Sequence, residues 1–146
     1  MPITKRGNFD LKGKAYWCFN KNPNKYNRFQ VNLCLDDPEQ EAKARDLGLN
    51  VKEKNDFNPH PFVIIKKKKV DDYGNVTNFI PTFKKSGEQE ESYIGNGSDI
   101  AVEFIAAPYS GSNGTGVYTV LDKITVLDLV EFTPNSDNAS SNEAPF

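Results

Sequence analysis

A mainly β chain folded as a small barrel or sandwich is the class this sequence predicts, and three observations point there. Apolar residues recur with period two in several short runs, the connections are rich in Gly, Asn and Pro, and only one segment carries helix signals. Residues 14–20, KAYWCFN, form the first aromatic-dense run. Strict alternation there puts Lys14, Tyr16 and Cys18 on one face and Ala15, Trp17 and Phe19 on the other, so one of the two large rings belongs to the core. After the polar stretch 21–27, residues 28–35 alternate cleanly, with Phe29, Val31, Leu33 and Leu35 opposite Arg28, Gln30, Asn32 and Cys34. That is the pattern of a half-buried strand.

Asp37-Pro38-Glu39-Gln40 supplies an N-cap, a proline at the first helical position and a Gln three residues past the cap; EAKARDL and the stop at Gly48 complete one short helix. NDFNPHP then interrupts regular structure. Residues 62–69 resume an extended run, apolar at first and then four lysines, of which Lys66 and Lys68 share one face and Lys67 and Lys69 the other. The turn chemistry of Asp71-Asp72-Tyr73-Gly74-Asn75 predicts a hairpin with 76–83 as the returning strand. Residues 84–91 read as an exposed loop, 100–107 as a buried strand, 108–116 (PYSGSNGTG) as a flexible loop and 117–132 as a long β-rich stretch. The last fourteen residues, TPNSDNASSNEAPF, offer almost nothing to pack and are expected to be a disordered tail. The count is about six strands and one helix, which a closed five-stranded barrel with an inserted helix would accommodate.

The 146 residues, 37% apolar, suffice for one domain with a real core, assigned to 1–132 with the tail at 133–146. No apolar run approaches the roughly 18 residues of a membrane span. The first residues, MPITKRGNFDLKGK, show no apolar signal region, so an intracellular protein is expected. Two cysteines cannot build a disulfide framework, and one histidine without CxxC or HxxxH spacing argues against zinc; neither metal nor cofactor is expected. His60, wedged between Pro59 and Pro61, reads as a loop residue rather than a catalytic base, and the Gly-rich stretches lack the Lys-Ser/Thr of a nucleotide loop. Four sequons in a chain with 16 Asn are discounted as chance matches.

Charge is unevenly divided: residues 1–69 hold 15 Lys+Arg against 8 Asp+Glu, and residues 70–146 hold 3 against 12. Such asymmetry hints at a polyanion-binding surface beside an acidic segment. Lys12, Lys14, Tyr16, Trp17, Lys21, Lys25, Tyr26 and Arg28 crowd one predicted hairpin, and Lys66 to Lys69 extend another strand, with Lys66 and Lys68 taken as the site pair. Single-stranded nucleic acid needs this pairing, because phosphates sit in a positive groove while bases stack on rings.

Tyr93-Ile94-Gly95-Asn96-Gly97-Ser98, followed by the strand 100–107, by Pro108-Tyr109, by a glycine-bearing loop and by a β-run ending LDLVEF, resembles the single-stranded DNA-binding proteins of short-tailed lytic phages. The resemblance extends more weakly to Tyr16, to Phe29-Val31-Leu33 and to 62–69. It implies an oligonucleotide-binding (OB) fold, a five-stranded barrel with one inserted helix, in a homodimer. It also implies an acidic tail ending in an aromatic residue, here Asp137, Glu143 and Phe146, that contacts the phage DNA polymerase and helicase-primase. Tyr109 matches a base-stacking position. The family's next aromatic is replaced by Gly111 and an expected lysine by Ala101, which shifts stacking and phosphate contacts to Trp17, Tyr118 or the lysine run. The function implied is non-catalytic coating of single-stranded DNA in phage replication, recombination and repair, in the host bacterial cytoplasm. The alternative is a non-catalytic protein-interaction barrel, a virion component or an inhibitor of a host enzyme. A nuclease is a third reading, disfavoured because Asp71-Asp72 reads as turn chemistry.

Overall fold

The structure, a computed structural model, describes residues 5–21, 23–112 and 114–132, so the tail residues Asp137, Glu143 and Phe146 lie outside the described residues. Alternating apolar residues build the strands in the order β1 (Gly7–Phe19), β2 (Arg28–Cys34), α1 (Pro38–Leu47), β3 (Phe62–Lys68), β4 (Thr82–Lys84), β5 (Tyr93–Ile94), β6 (Ser98–Gly111), β7 (Gly114–Asp128) and β8 (Glu131–Phe132). Six of them form one sheet in the order β3-β2-β1-β6-β7-β4, while β5 and β8 pair separately. β1 serves both halves of the sheet: Gly7 to Ala15 pair with β6, and Lys14 to Phe19 pair with β2. The sheet curls until β3 packs against β7, though among the described residues no backbone ladder joins them. A cleft of about 300 Å³ lies along that seam, between Ile64, Lys66, Val117 and Thr119. The fold class is thus the mainly β, OB-type barrel with one inserted helix that the sequence predicts.

The barrel interior is filled by Leu11, Phe29, Val31, Leu33, Ile65, Ile80, Ile100, Val102, Phe104, Leu121 and Ile124, each essentially without solvent exposure. Burial of each large side chain contributes about 1.5–3 kcal/mol, enough to set which face of every strand turns inward. Gly13 marks the corner where β1 changes partners. A Cβ there would collide with the Cys34 carbonyl oxygen, so only glycine lets the two backbones approach.

The helix matches its signals. Asp37 caps it by accepting from the Glu39 N–H at 2.9 Å, Pro38 opens it, and Gly48 closes it in the left-handed region. Gln40 does not complete a reciprocal capping box; its side-chain oxygen accepts from the Lys12 N–H at 2.9 Å and ties the helix to β1.

Three expectations need correction. β2 is buried on both faces rather than half-buried, because residues 49–61 cover Asn32 and Cys34. The turn at residues 71–75 forms, closed by the Val70–Val76 bridge, but 76–83 does not return along β3. Its last residues instead form β4, which pairs in parallel with β7. Residues 108–116 are not a loop: the β6–β7 ladder continues to Gly111 opposite Gly114. Pro108 is tolerated because β1 begins at Gly7, opposite Ala106, so among the described residues no β1 ladder reaches Pro108.

The turn between β5 and β6 gathers three strand ends. Ser98, fully buried, accepts from the Val130 N–H at 2.8 Å and donates to the Gly95 carbonyl at 2.8 Å. The Gly97 N–H donates to the Ala15 carbonyl, and the Asn96 side-chain oxygen accepts from the Trp17 N–H at 2.9 Å. Replacing Ser98 by Ala removes the partner of the part-buried Val130 N–H, so Ser98→Ala is expected to cost about 0.5–1.5 kcal/mol. A lower urea midpoint at unchanged slope would register that loss; an unchanged midpoint would show that the junction is dispensable.

Candidate nucleic-acid interface

Cross-strand register decides which predicted site residues share a surface. Tyr16 lies opposite Asn32, Gln30 opposite Lys66 and Arg28 opposite Lys68, so Lys14, Tyr16, Arg28, Lys66 and Lys68 occupy one outer face across β1, β2 and β3. Lys67 lies opposite the core residue Phe29 and turns to the other side. In OB barrels the face of the second and third strands, flanked by the loops joining strands one to two and four to five, is where oligonucleotides bind.

The five residues are not equivalent. Lys66 is exposed and makes no ion pair among the described residues, whereas Lys68 sits 3.1 Å from Asp72. The Lys14 ammonium is 2.9 Å from Asp99 and 4.0 Å from Asp36; its hydrogen bond to Asp99 holds its pKa above the ordinary lysine value. Lys14 is therefore a neutralised charge. Burial pushes the half-buried Tyr16 hydroxyl up, with Cys34 adding to the shift.

Trp17 departs from the alternation read in the sequence. A bulge between Tyr16 and Phe19 inserts one extra residue in β1, with Trp17 at φ 51°. The bulge reverses the faces beyond it: Phe19 lies opposite Gln30 on the Tyr16 side, and Cys18 packs against the core. Expected were Cys18 beside Tyr16 and Phe19 beside Ala15. The indole Nε1 is buried with no hydrogen-bond partner among the described residues, so the ring is turned partly inward.

Tyr109 and Tyr118 form a pair on the projecting part of the β6–β7 hairpin, 52% and 46% exposed, with ring centroids 6.5 Å apart and planes at 40°. Tyr109 faces Gly116, and a Cβ at Gly116 would meet the Tyr109 ring and hydroxyl within 2.6–2.9 Å. The missing side chain is the bed on which the ring lies. Val117 and Thr119 of β7 line the seam with Ile64 and Lys66 of β3, and Tyr118, between them in sequence, turns to the opposite face of β7.

Three more exposed rings border the same face: Tyr26, which the sequence grouped with the basic-aromatic hairpin, and Phe57 and Tyr73, which it did not place in the site, at 59%, 52% and 90% exposure. Each follows an Asn or Asp by two residues, in NKY, NDF and DDY, a signal that was legible as turn chemistry but not as ring display.

No protein-family model and no curated sequence matches the chain. Among solved structures, the chain is similar to gp2.5, a single-stranded DNA-binding protein encoded by bacteriophage T7, with a TM-score of 0.60 at 15% identity over 96% of each chain. It is also similar to the single-stranded DNA-binding protein from bacteriophage Enc34, with a TM-score of 0.55 at 10% identity over 98% of this chain and 97% of that one. The Enc34 protein in complex with single-stranded DNA gives 0.53 at 10% identity over 90% and 94%. At these identities what is shared is the fold, and the fold is that of the phage proteins the sequence resembles.

Among the described residues no three His, Cys, Asp or Glu side chains gather as a metal site. Both cysteines are free, and burial pushes the Cys18 thiol up to about 12 and the Cys34 thiol up to about 11. Near pH 8 the thiolate fraction of either is about one in a thousand or less. Cys34, which is buried, should therefore ignore a disulfide reagent in the folded protein and react fully in denaturant, and the partly buried Cys18 should react slowly. Rapid labelling of either one under native conditions would contradict that burial.

Proposed function

We propose that this chain is a phage single-stranded DNA-binding protein that coats unwound DNA without sequence preference. The observation that carries the reading is the outer face of β2 and β3, with Arg28, Lys66 and Lys68, on a barrel whose β6–β7 hairpin displays the exposed Tyr109–Tyr118 pair. Its barrel matches phage single-stranded DNA-binding proteins over nearly their whole length. The cations would hold phosphates while the rings stack on bases, which every base permits because every base has a π face. Binding of this kind involves no bond-making step, so the protein acts without catalysis, cofactor or metal. In this reading residues 1–132 bind DNA and the protein works as a homodimer in the cytoplasm of an infected bacterium, supporting replication, recombination and repair. The segment 133–146, with Asp137, Glu143 and Phe146, recruits the phage polymerase and helicase-primase.

Titration of oligo-dT at several salt concentrations tests the reading. Log affinity should fall linearly with log salt at about −0.7 per phosphate neutralised; Lys66→Ala should flatten the slope by about 0.7, and Lys68→Ala by less because Asp72 already pairs with it. Tyr109→Ala should weaken binding by about 1–3 kcal/mol at unchanged slope. Gly116→Val should do the same by displacing the ring it leaves in place. Absence of any complex would remove the DNA-binding reading and leave the surface to a protein partner.

A further inference from the structure

The rings Tyr26, Phe57 and Tyr73 sit in three turns built the same way. The N–H of Tyr26 donates to the Asn24 side-chain oxygen at 2.9 Å, that of Phe57 to Asn55 at 2.8 Å, and that of Tyr73 to Asp71 at 2.9 Å. An Asn or Asp closing on the backbone two residues ahead fixes a tight turn, and the residue at that second position is carried at its tip. An aromatic at a turn tip buries little of its own surface, yet in each of these turns the ring stays about half exposed or more. Single exposed apolar residues are ordinary on a folded surface; what sets these three apart is that each is an aromatic carried by the same turn and that the turns border one face.

Hydrogen bonds tie all three turns to the outer face of β2 and β3. Asn24 donates to Gln30, Gln30 to Asn32, Asn32 to Asn58 and Asn58 to Asn55, an amide chain running from the Tyr26 turn to the Phe57 turn along β2. Gln30, Asn32 and Asn58 are buried, so they serve to hold the two turns rather than to touch a ligand. The Lys69 N–H donates to the Asn27 carbonyl, joining the Tyr26 turn to the end of β3, from which the Tyr73 turn springs. Tyr26 and Tyr73 thus stand at the Arg28–Lys68 end of the face and Phe57 at the Asn32 end, with Lys66 between. Gln30 and Asn32 are a two-residue step of about 7 Å apart along the strand.

We propose that Tyr26, Phe57 and Tyr73 form a second set of base-stacking positions, which carries single-stranded DNA from the Tyr109–Tyr118 hairpin across the cationic face of β2 and β3. The occupant is a polyanion with flat apolar faces because cations and fixed rings alternate there, a pairing that a purely apolar partner would not use. This inference rests on the DNA-binding reading given above and extends its site to residues outside the hairpin.

Oligo-dT affinity of Tyr26→Ala, Phe57→Ala and Tyr73→Ala, each in the full chain, tests it beside Tyr109→Ala. Each replacement is expected to weaken binding about tenfold while the salt dependence keeps its slope, since no charge is lost. Tyr26→Phe and Tyr73→Phe should retain wild-type affinity. Phe57→Trp adds a reporter, whose fluorescence should be quenched by oligo-dT beyond the change seen in the wild-type chain. If the wild-type chain binds and Tyr109→Ala weakens it, but the three alanine variants bind normally and Trp at 57 stays unquenched, the second set does not exist and the DNA-binding reading survives. If the wild-type chain binds no oligonucleotide, both fall together.

Discussion

The buried hydroxyl of Ser98 is the contact on which the working surface depends. Its two short hydrogen bonds, to Gly95 and Val130, hold together the start of β6 and the chain leaving β7, and the same turn reaches β1 through Gly97 to Ala15 and through Asn96 to Trp17. The second of those contacts stabilises the bulge in β1, and the bulge decides the orientation of everything beyond it. Without the extra residue, Phe19 would turn toward the core and Cys18 outward. The glycine-serine turn that carries the family likeness in the sequence is thus part of the barrel's framework, and it touches the candidate interface only through the strand it bends.

A second constraint acts on β2. A strand at this position could present its polar face to water, but Gln30 and Asn32 are covered by the loops on either side. Buried carboxamides are costly unless every donor finds a partner, and the amide chain gives each of them one at 3.0–3.1 Å. Such a chain adds little net stability; what it provides is a fixed placement of two loops that would otherwise move independently. Rigid loops lose less entropy when a ligand settles on them, so the arrangement favours binding through preorganisation.

What was legible in the sequence was whatever short-range chemistry dictates. The helix from Asp37 to Gly48 and the inward set Phe29, Val31, Leu33 follow from caps and period-two alternation, and the split of the lysine run follows from the same rule. What was not legible depended on partners distant in the chain. Residues 108–116 look like a loop because Gly and Ser dominate, yet a continuous ladder with β7 overrides local preference. β4 is three residues that gain a strand only by lying parallel to β7, which no local pattern announces. The bulge at Trp17 was hidden because alternation is assumed wherever nothing contradicts it. Of the interface, the lysines, the tyrosine pair and Tyr26 were named from the sequence, whereas Phe57 and Tyr73 passed as residues of ordinary turns.

Charge accounting on the folded chain differs from charge counting on the sequence. The basic half carries 15 cations, but Lys14 is held by Asp99, Lys43 by Asp10, Arg45 by Glu41 and Lys68 by Asp72. An ammonium already paired to a carboxylate releases few counterions when a phosphate arrives, because part of its field is spent on its partner. The number of phosphates the surface can neutralise is accordingly well below the number of its lysines, and exposed rings must supply a correspondingly larger share of any affinity. A chain with a net charge of −2 can still hold a polyanion on those terms, since the decisive quantity is the local arrangement of Arg28 and Lys66 among aromatic faces rather than the sum over the whole molecule.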